Sequence, residues 1–169
     1  MFRTWKFLFL LTLFVLLLAG CASSLEDRSA SGVIAAKEAF FANNKGQTEE
    51  IEGIKLYKPA GFTISEKSDA YNIIFKKGNE TFLLFINPNE KEDSRLFYDL
   101  LLADKGKEII AEETFSDDGN FGFVAIIKKD DESAELVVSV GGAKMTTITK
   151  KKKLEKEVRE MMEVVRSLK

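Results

Sequence analysis

The stretch Tyr71-Asn-Ile-Ile-Phe-Lys-Lys-Gly-Asn-Glu-Thr-Phe-Leu-Leu-Phe-Ile-Asn87 decides the fold. It predicts two strands, Tyr71–Lys76 and Thr81–Asn87, joined by a short polar segment. That segment, Lys77-Gly78-Asn79-Glu80, contains Gly and Asn, which tolerate the positive φ angles of a tight hairpin turn. The residues from Thr81 to Ile86 are apolar on both faces of the strand. We therefore predict a central strand of an antiparallel sheet, covered on both sides.

Alternation of period two continues on both sides of this hairpin. Strands are predicted at Ile54–Tyr57, Phe62–Ser65, Glu108–Phe115, Phe121–Lys128 and Ala134–Val140. The segments Asp117-Asp118-Gly119-Asn120 and Lys129-Asp130-Asp131-Glu132 are typical of turns. Gly141-Gly142 indicates a break, after which Met145–Ile148 forms either a last short strand or an extended lead-in.

Three segments have helical spacing instead. A short amphipathic helix is predicted over 32–43, and a second one over 95–104, capped by Asp93 or Ser94. The C-terminal helix has the clearest pattern, an apolar stripe formed by Leu154, Val158, Met161, Met162, Val165 and Leu168. The fold class is therefore α+β: an antiparallel sheet of about six to eight strands, flanked by a mid-chain helix and a long C-terminal helix.

The composition excludes several classes of function. The 169 residues include no His and one Cys, and the formal net charge is −2. Without His there is no Ser-His-Asp triad, Cys-His pair or His-ligated metal site. A single Cys allows neither an intramolecular disulfide nor a thiolate metal cluster. A charge near zero argues against a general nucleic-acid-binding protein, which needs a strongly basic face.

The N-terminus has the pattern of an export signal. Arg3 and Lys6 precede an almost entirely apolar run, Phe7 to Ala19. As a helix this run is about 20 Å long, shorter than the roughly 30 Å hydrocarbon core of a bilayer. The run ends in Leu18-Ala19-Gly20-Cys21, which resembles the lipobox of bacterial lipoproteins. The alternative is an ordinary cleaved secretory signal followed by a chance Cys.

The lipobox resemblance implies that Cys21 carries a diacylglycerol thioether and becomes the first residue of the mature chain. The protein is then exported and anchored in the membrane by acyl chains. It lies in the outer membrane if the host has two membranes, since Ala22 is not the inner-membrane retention signal, and on the outer face of the plasma membrane if it has one. Removing Arg3 and Lys6 leaves 23 basic and 27 acidic residues, a net charge of −4.

The chain divides into four predicted regions. Residues 1–20 are the signal peptide, and residues 21–31 are the lipidated N-terminus with a flexible tether. Residues 32–50 contain the short helix and a polar linker. Residues 51–169 form a single α+β domain, which is long enough for a normal hydrophobic core.

A second resemblance concerns the domain itself. The segment Leu56-Tyr57-Lys58-Pro59-Ala60-Gly61-Phe62-Thr63-Ile64 is similar to the opening of PsbP-like domains, where a strand leads into a Pro-x-Gly-Phe turn. The chain end Met162–Lys169 is similar to the closing helix of that superfamily. The resemblance covers about 54–168. It implies an antiparallel sheet flanked by helices, with a role in binding or assembly.

Few residues stand out as candidate sites. Lys150, Lys151, Lys152 and Lys153 either contact an anionic surface or form the solvated entry of the last helix. The acidic stretches at 117–120 and 130–132 either bind a hard cation or serve as hairpin turns, and the turn is the favoured interpretation. The segment Gly141–Thr146 lacks the core of a phosphate-binding loop. The pairs Phe40/Phe41, Phe82/Phe85 and Phe121/Phe123 line an apolar pocket or, as we favour, pack in the core.

These features predict a lipid-anchored, non-catalytic binding or interaction module of the cell envelope. We expect the membrane and an envelope protein as partners, with no nucleic acid, cofactor or metal. One alternative is a carrier of a small apolar ligand or lipid. A second alternative is a carboxylate-dependent hydrolase, which needs two acids at a suitable separation.

Overall fold

The computed structural model describes residues 23–169. The predicted signal peptide and the lipobox with Cys21 lie outside the described residues. The described chain forms three α-helices, nine strands and one 3₁₀ turn. In chain order these are α1 (Leu25–Phe41), β1 (Glu49–Ile51), β2 (Ile54–Leu56), β3 (Thr63–Ile64), β4 (Asn72–Lys77), β5 (Glu80–Ile86), α2 (Leu96–Ala103), β6 (Ile109–Asp117), β7 (Asn120–Lys128), β8 (Ser133–Val140), β9 (Ala143–Lys150), the 3₁₀ turn (Lys151–Lys153) and α3 (Leu154–Arg166).

Seven of the strands form one antiparallel sheet in the order β3-β4-β5-β9-β8-β7-β6, and β1 and β2 form a separate hairpin. The predicted α+β class, the strand number, the mid-chain helix and the C-terminal helix are confirmed. Strand β9 is longer and more central than the short segment predicted at Met145–Ile148. It pairs with β5 on one side and β8 on the other, because Gly141, at φ +51°, closes a tight hairpin after Val140.

Two helices cover one face of this sheet, which we call the inner face. Alternate residues of β4, β5, β7 and β8 point into a core shared with α1 and α3. Phe40 of α1 and Leu154 of α3 are fully buried there, together with Phe75 and Phe82 of the first hairpin. The apolar stripe predicted for the last helix therefore faces this layer, as its spacing requires.

The opposite, outer face is covered over only part of its width. The eight-residue helix α2 packs Phe97 and Leu101 against Phe121, Phe123 and neighbouring outer residues of β7 and β8. Strand β5 lies inside the sheet as predicted, but the prediction that it is covered on both sides is wrong. Leu83 on its outer side is 41% exposed, since the described residues place no element over this part of the sheet.

The first helix begins earlier than the sequence pattern predicted. It starts at Leu25 rather than residue 32, so the predicted flexible tether of residues 21–31 is wrong from Leu25 onward. Ser24 and Asp27 form a reciprocal capping box: the Asp27 amide donates to Ser24 Oγ at 3.0 Å, and the Ser24 amide donates to Asp27 Oδ2 at 3.2 Å. The start of the helix was missed because its first residues are small and polar, as in a linker. Gly32 and Ser29 are small because they are buried against other elements.

The polar linker predicted before residue 51 also contains a strand. Strand β1 pairs with β2 through a turn in which Glu52 and Gly53 have φ angles of 49° and 90°. The chain end joins the same region, because the backbones of Lys55 and Lys169 exchange two hydrogen bonds of 3.1 and 3.2 Å. Among the described residues no helix combines the length and the apolar character needed to cross a bilayer.

The close approach of α1 to the sheet gives a stability prediction. A Cβ added at Gly122 would lie 2.6 Å from Phe40 Cε2 and 3.0 Å from the Ser139 carbonyl oxygen. Phe40 is fully buried and cannot move aside cheaply, so Gly122→Ala should lower the free energy of unfolding by about 1–3 kcal/mol. Urea denaturation measures the change. The matched control is Gly46→Ala, whose added Cβ meets nothing within 4 Å; equal stability of the two variants would contradict this packing.

Candidate functional site

The uncovered part of the outer face forms an open groove of about 530 Å³, which we call the outer groove. It runs over the ends of β5 and β9, where Leu83, Thr146 and Ile148 line it. Leu83 is 41% and Ile148 is 58% exposed. Two large aliphatic side chains on neighbouring strands thus form an exposed apolar surface in the middle of the sheet.

The groove continues beneath the edge of α2 into a smaller space of about 200 Å³. Phe97, Leu100 and Lys144 line this inner end, and Glu135 and Thr146 line both parts. Leu100 is 57% exposed on the side of α2 that borders the groove. The outer groove is therefore a continuous apolar track with polar groups at defined points, which is a common form of binding surface.

Strand alternation explains why these side chains share a face. Leu83 pairs with Ile74 on β4 and with Thr146 on β9, and Thr146 pairs with Val137 on β8. Residues directly opposite one another on antiparallel strands project to the same side. The row continues beneath α2, so the groove is the open end of a layer whose other end is packed.

Both acidic and basic groups line the groove: Glu80, Glu135, Asp104, Lys107 and Lys144. Glu135 is held by two lysines, Lys107 at 2.8 Å and Lys129 at 3.0 Å. Burial of Glu135 opposes ionisation, but hydrogen bonds from these two lysines outweigh it and lower its pKa. The ammonium of Lys144 lies 4.9 Å from the ring centre of Phe97, and its pKa is lowered by burial and by nearby Lys107. Within the described residues Lys144 has no ion-pair partner.

A pair of carboxyl groups lies behind one end of the groove. Glu157, on the first turn of α3, is 1% exposed, and it contacts the carboxyl group of Glu80 at the start of β5. Glu80 also pairs with Lys153 at 2.8 Å and accepts a hydrogen bond from Thr149 at 3.4 Å. Among the described residues, Glu157 Oε2 has no hydrogen-bond donor. A proton shared between the two acids satisfies this arrangement.

The two acids are shifted in opposite directions. Burial, and then the contact with Glu80, raise the pKa of Glu157 to about 7. Burial alone would raise the pKa of Glu80, but the contacts with Glu157 and Lys153 outweigh it and hold that pKa below its usual value. Glu157 is therefore the protonated member of the pair at mildly acidic pH.

The predicted lysine run is divided by the structure. Lys150 ends β9 and projects from the outer face, while Lys151 to Lys153 form the 3₁₀ turn before α3. Lys151 pairs with Glu132 at 2.7 Å and Lys153 pairs with Glu80. Contact of this run with an anionic surface stays a prediction, with Lys150 and Lys152 as the exposed lysines that form no ion pair in the described part of the chain.

The other candidate residues have structural positions. Phe40, Phe82, Phe121 and Phe123 are buried in the two cores, as we favoured, while Phe41 is exposed beside Phe115. The acidic stretches 117–120 and 130–132 form the β6–β7 and β7–β8 hairpin turns. Gly141 and Gly142 form the β8–β9 turn and lie against the backbone of Asn87, Lys91 and Glu92.

Sequence analysis did not find the residues of the outer groove or the acid pair. Lys150 was named there only as part of the lysine run. Lys76 and Lys144, on the outer positions of β4 and β9, were missed, and their alternation with buried residues was the available signal. Glu157 was detectable as a carboxylate on the apolar stripe of the last helix, three residues after Leu154. Only the structure pairs it with Glu80, seventy-seven residues earlier in the chain.

Solved structures include distant neighbours of this chain, one of them from a cyanobacterium. No protein-family model matches the chain, and no curated protein matches it. The solution structure of cyanobacterial PsbP, CyanoP, from Synechocystis sp. PCC 6803 matches 75% of this chain and 91% of its own, at 14% identity and a TM-score of 0.43. That protein is a PsbP domain, the type that residues 56–64 resemble. A resemblance this distant transfers neither function nor binding residues to this chain.

The acid pair gives a prediction on pH dependence. The pKa of Glu157 is about 7 in the folded protein against an ordinary value of 4.5, so between these pH values the folded state holds a proton that the unfolded chain lacks. Stability therefore falls as the pH rises through this window. At pH 8, Glu157→Gln should raise the free energy of unfolding by about 1–3 kcal/mol, because a neutral amide is cheaper to bury than a carboxylate.

Urea denaturation at pH 5 and pH 8 measures this difference, and the advantage of Glu157→Gln should shrink at pH 5. The matched control is Glu155→Gln, an exposed position on the same helical turn, which should show no such pH dependence. A variant Glu157→Gln that is equally destabilised at both pH values would show that the carboxyl group is ionised and required.

Proposed function

We propose that this protein is a lipid-anchored, non-catalytic binding module of the bacterial cell envelope. The outer groove is the observation that carries the proposal. Leu83 and Ile148 leave apolar surface exposed in the interior of a sheet whose outer face is packed under α2 at β7 and β8. Exposed apolar surface of this kind typically marks an interaction site.

The open shape of the groove favours a protein partner over a small molecule that must be enclosed. Small-molecule sites usually bury 70–90% or more of their ligand. The outer groove is open along β5 and β9, and the adjoining space beside Lys144 has a volume of about 200 Å³. A partner protein can cover the whole track, whereas a small apolar ligand would remain largely in water. We therefore rank a protein partner above the carrier of a small ligand or lipid.

The acid pair gives limited support to a hydrolase. Glu80 lines the groove, but Glu157 is 1% exposed and lies on the inner side of the sheet. Glu80 is also engaged by Lys153 at 2.8 Å. The two carboxyl groups thus bind each other, and Glu80 also pairs with Lys153. These contacts stabilise the fold, which is a structural role. We therefore keep the non-catalytic interpretation as the proposal.

The lipobox pattern supports the anchored state, and the start of α1 sets the length of the connection to the domain. The sequence Leu18-Ala19-Gly20-Cys21 has the lipobox pattern, and the capping box at Ser24 starts α1 only three residues after Cys21. Two or more acyl chains on Cys21 would hold the protein stably at the membrane, since one chain alone binds only marginally. The short connection would keep the domain close to the bilayer and raise its local concentration around partners in the same membrane.

The anchor is tested by Cys21→Ser. We expect this variant to accumulate as uncleaved precursor and to lose metabolic labelling with fatty acid, because serine offers no thiol for the thioether. Gel mobility and labelling in the native cell measure both effects. Normal processing and labelling of Cys21→Ser would contradict the lipid anchor.

Binding is tested separately, by chemical crosslinking of wild type and Cys21→Ser in native membranes. A discrete protein adduct should form with the wild type and weaken at least tenfold with Cys21→Ser, since the anchor supplies the local concentration. Ala22→Ser, which keeps the cysteine, serves as the control and should crosslink like the wild type. If Cys21→Ser loses its lipid but forms the same amount of adduct, the anchor is not needed for binding.

A further inference from the structure

We propose that the outer groove receives an amphipathic helix of a partner protein, with acidic residues beside its apolar stripe. This inference rests on the proposed function, because it requires the protein to be a binding module. The surface and the partner chemistry can each be wrong while the binding function stands.

The width of the open surface fits one helix. On the outer face α2 covers Phe85 of β5 but leaves β4 and the parts of β5 and β9 around Leu83 and Ile148 open, and adjacent strands lie about 4.8 Å apart. Three strands therefore present a strip roughly 10–15 Å wide, and a helix with its side chains is about 10–12 Å across. Helix α2 already lies on the other part of this face, so a second helix beside it would complete the layer.

The apolar contacts lie where such a helix would place its stripe. Ile74 and Leu83 are cross-strand neighbours on β4 and β5, and Ile148 lies on β9 beyond them. Leu100 borders the strip from α2 and is exposed. These aliphatic groups occupy the floor and one wall of the groove. Ridges of a helix pack between rows of side chains spaced in this way.

The charges decide the chemistry of the partner. Lys76 and Lys150 project from the outer face on β4 and β9, and Lys144 lies between them and α2. Within the described residues none of the three forms an ion pair. Of the carboxylates nearby, Glu135 pairs with two lysines and Glu80 with Lys153, so among the described residues three lysines without an ion pair face one such carboxylate, Asp104. The strip is therefore basic in a mature chain whose predicted net charge is −4, and it is complementary to an acidic partner.

A protein surface fits these observations better than the membrane. Helix α1, which follows Cys21, lies on the inner face of the sheet. Three residues from Cys21 to Ser24 reach about 10 Å at most. A helix with its side chains is about 10–12 Å across, and the outer side chains lie on the opposite side of the sheet from α1. A connection this short, on the side of α1, favours a protein over the bilayer as the occupant of the outer groove.

The experiment places a photoreactive benzoylphenylalanine at Ile148 in the full-length protein in its native cells. A second form carries it at Ile34, which is 57% exposed on α1 in the other layer. The charge variant is Lys76→Glu with Lys144→Glu and Lys150→Glu. The matched control reverses three exposed lysines that do not line the groove, Lys55, Lys67 and Lys91, and changes the net charge equally. Because Lys144 is half-buried, the double variant Lys76→Glu with Lys150→Glu is tested as well.

We expect the form labelled at position 148 to crosslink to one protein segment, identified by mass spectrometry of the joined peptide. That segment should have apolar residues at helical spacing and flanking Asp or Glu. The triple reversal should reduce the adduct at least tenfold and the double variant at least threefold, while the control reversal leaves it unchanged.

Several results would overturn the inference. They are adducts with lipid or with a second copy of this chain, a segment without acidic residues, or an adduct insensitive to the groove reversal. Adducts at position 34 alone would reject the groove and leave the binding function in place. No adduct at either position, with lipidation intact, would reject the proposed function itself.

Discussion

Burial of the inner sheet face under α1 and α3 is the constraint on which the rest of the structure depends. The two helices contact each other as well as the sheet, and Gly32 lets Leu154 approach so closely that an added Cβ would lie 2.2 Å from its Cδ2. Phe40 makes a similar approach to Gly122. Both long helices lie on this face, and among residues 23–169 the outer face has only the eight residues of α2. The outer groove is a consequence of this unequal distribution of helices.

The same constraint explains the buried acid. The stripe of α3 that enters the core includes position 157, because this position lies between Leu154 and Met161 at helical spacing. A carboxyl group there must lose its water, and the carboxyl group of Glu80 is the group it meets. Protonation of Glu157 removes the charge and supplies a donor between the two acids. Lys153 balances the charge that remains on Glu80.

Much of the architecture could be predicted from local patterns. Alternation gave the strands of the sheet, and the apolar stripe from Leu154 to Val165 gave the last helix, because both signals depend on neighbouring residues. The start of α1 was missed because Ser29 and Gly32 look like linker residues, and they are small because other elements press against them. Coverage of β5 was misjudged because Leu83 is as apolar as a buried residue. Which face a helix covers depends on long-range packing, which no local pattern records.

The groove and the acid pair differ in what they can do for binding. The acid pair lies on the inner side of the sheet, and its polar groups already bind each other and Lys153. A ligand would therefore gain little binding free energy by contacting it. The groove presents apolar side chains in water and a half-buried lysine without a carboxylate partner among the described residues. The exposed apolar side chains and the half-buried lysine both raise the free energy of the isolated domain, and contact with a complementary surface would lower it. A binding partner lowers the free energy most where the free protein is least satisfied, and in this fold that place is the open half of the outer layer.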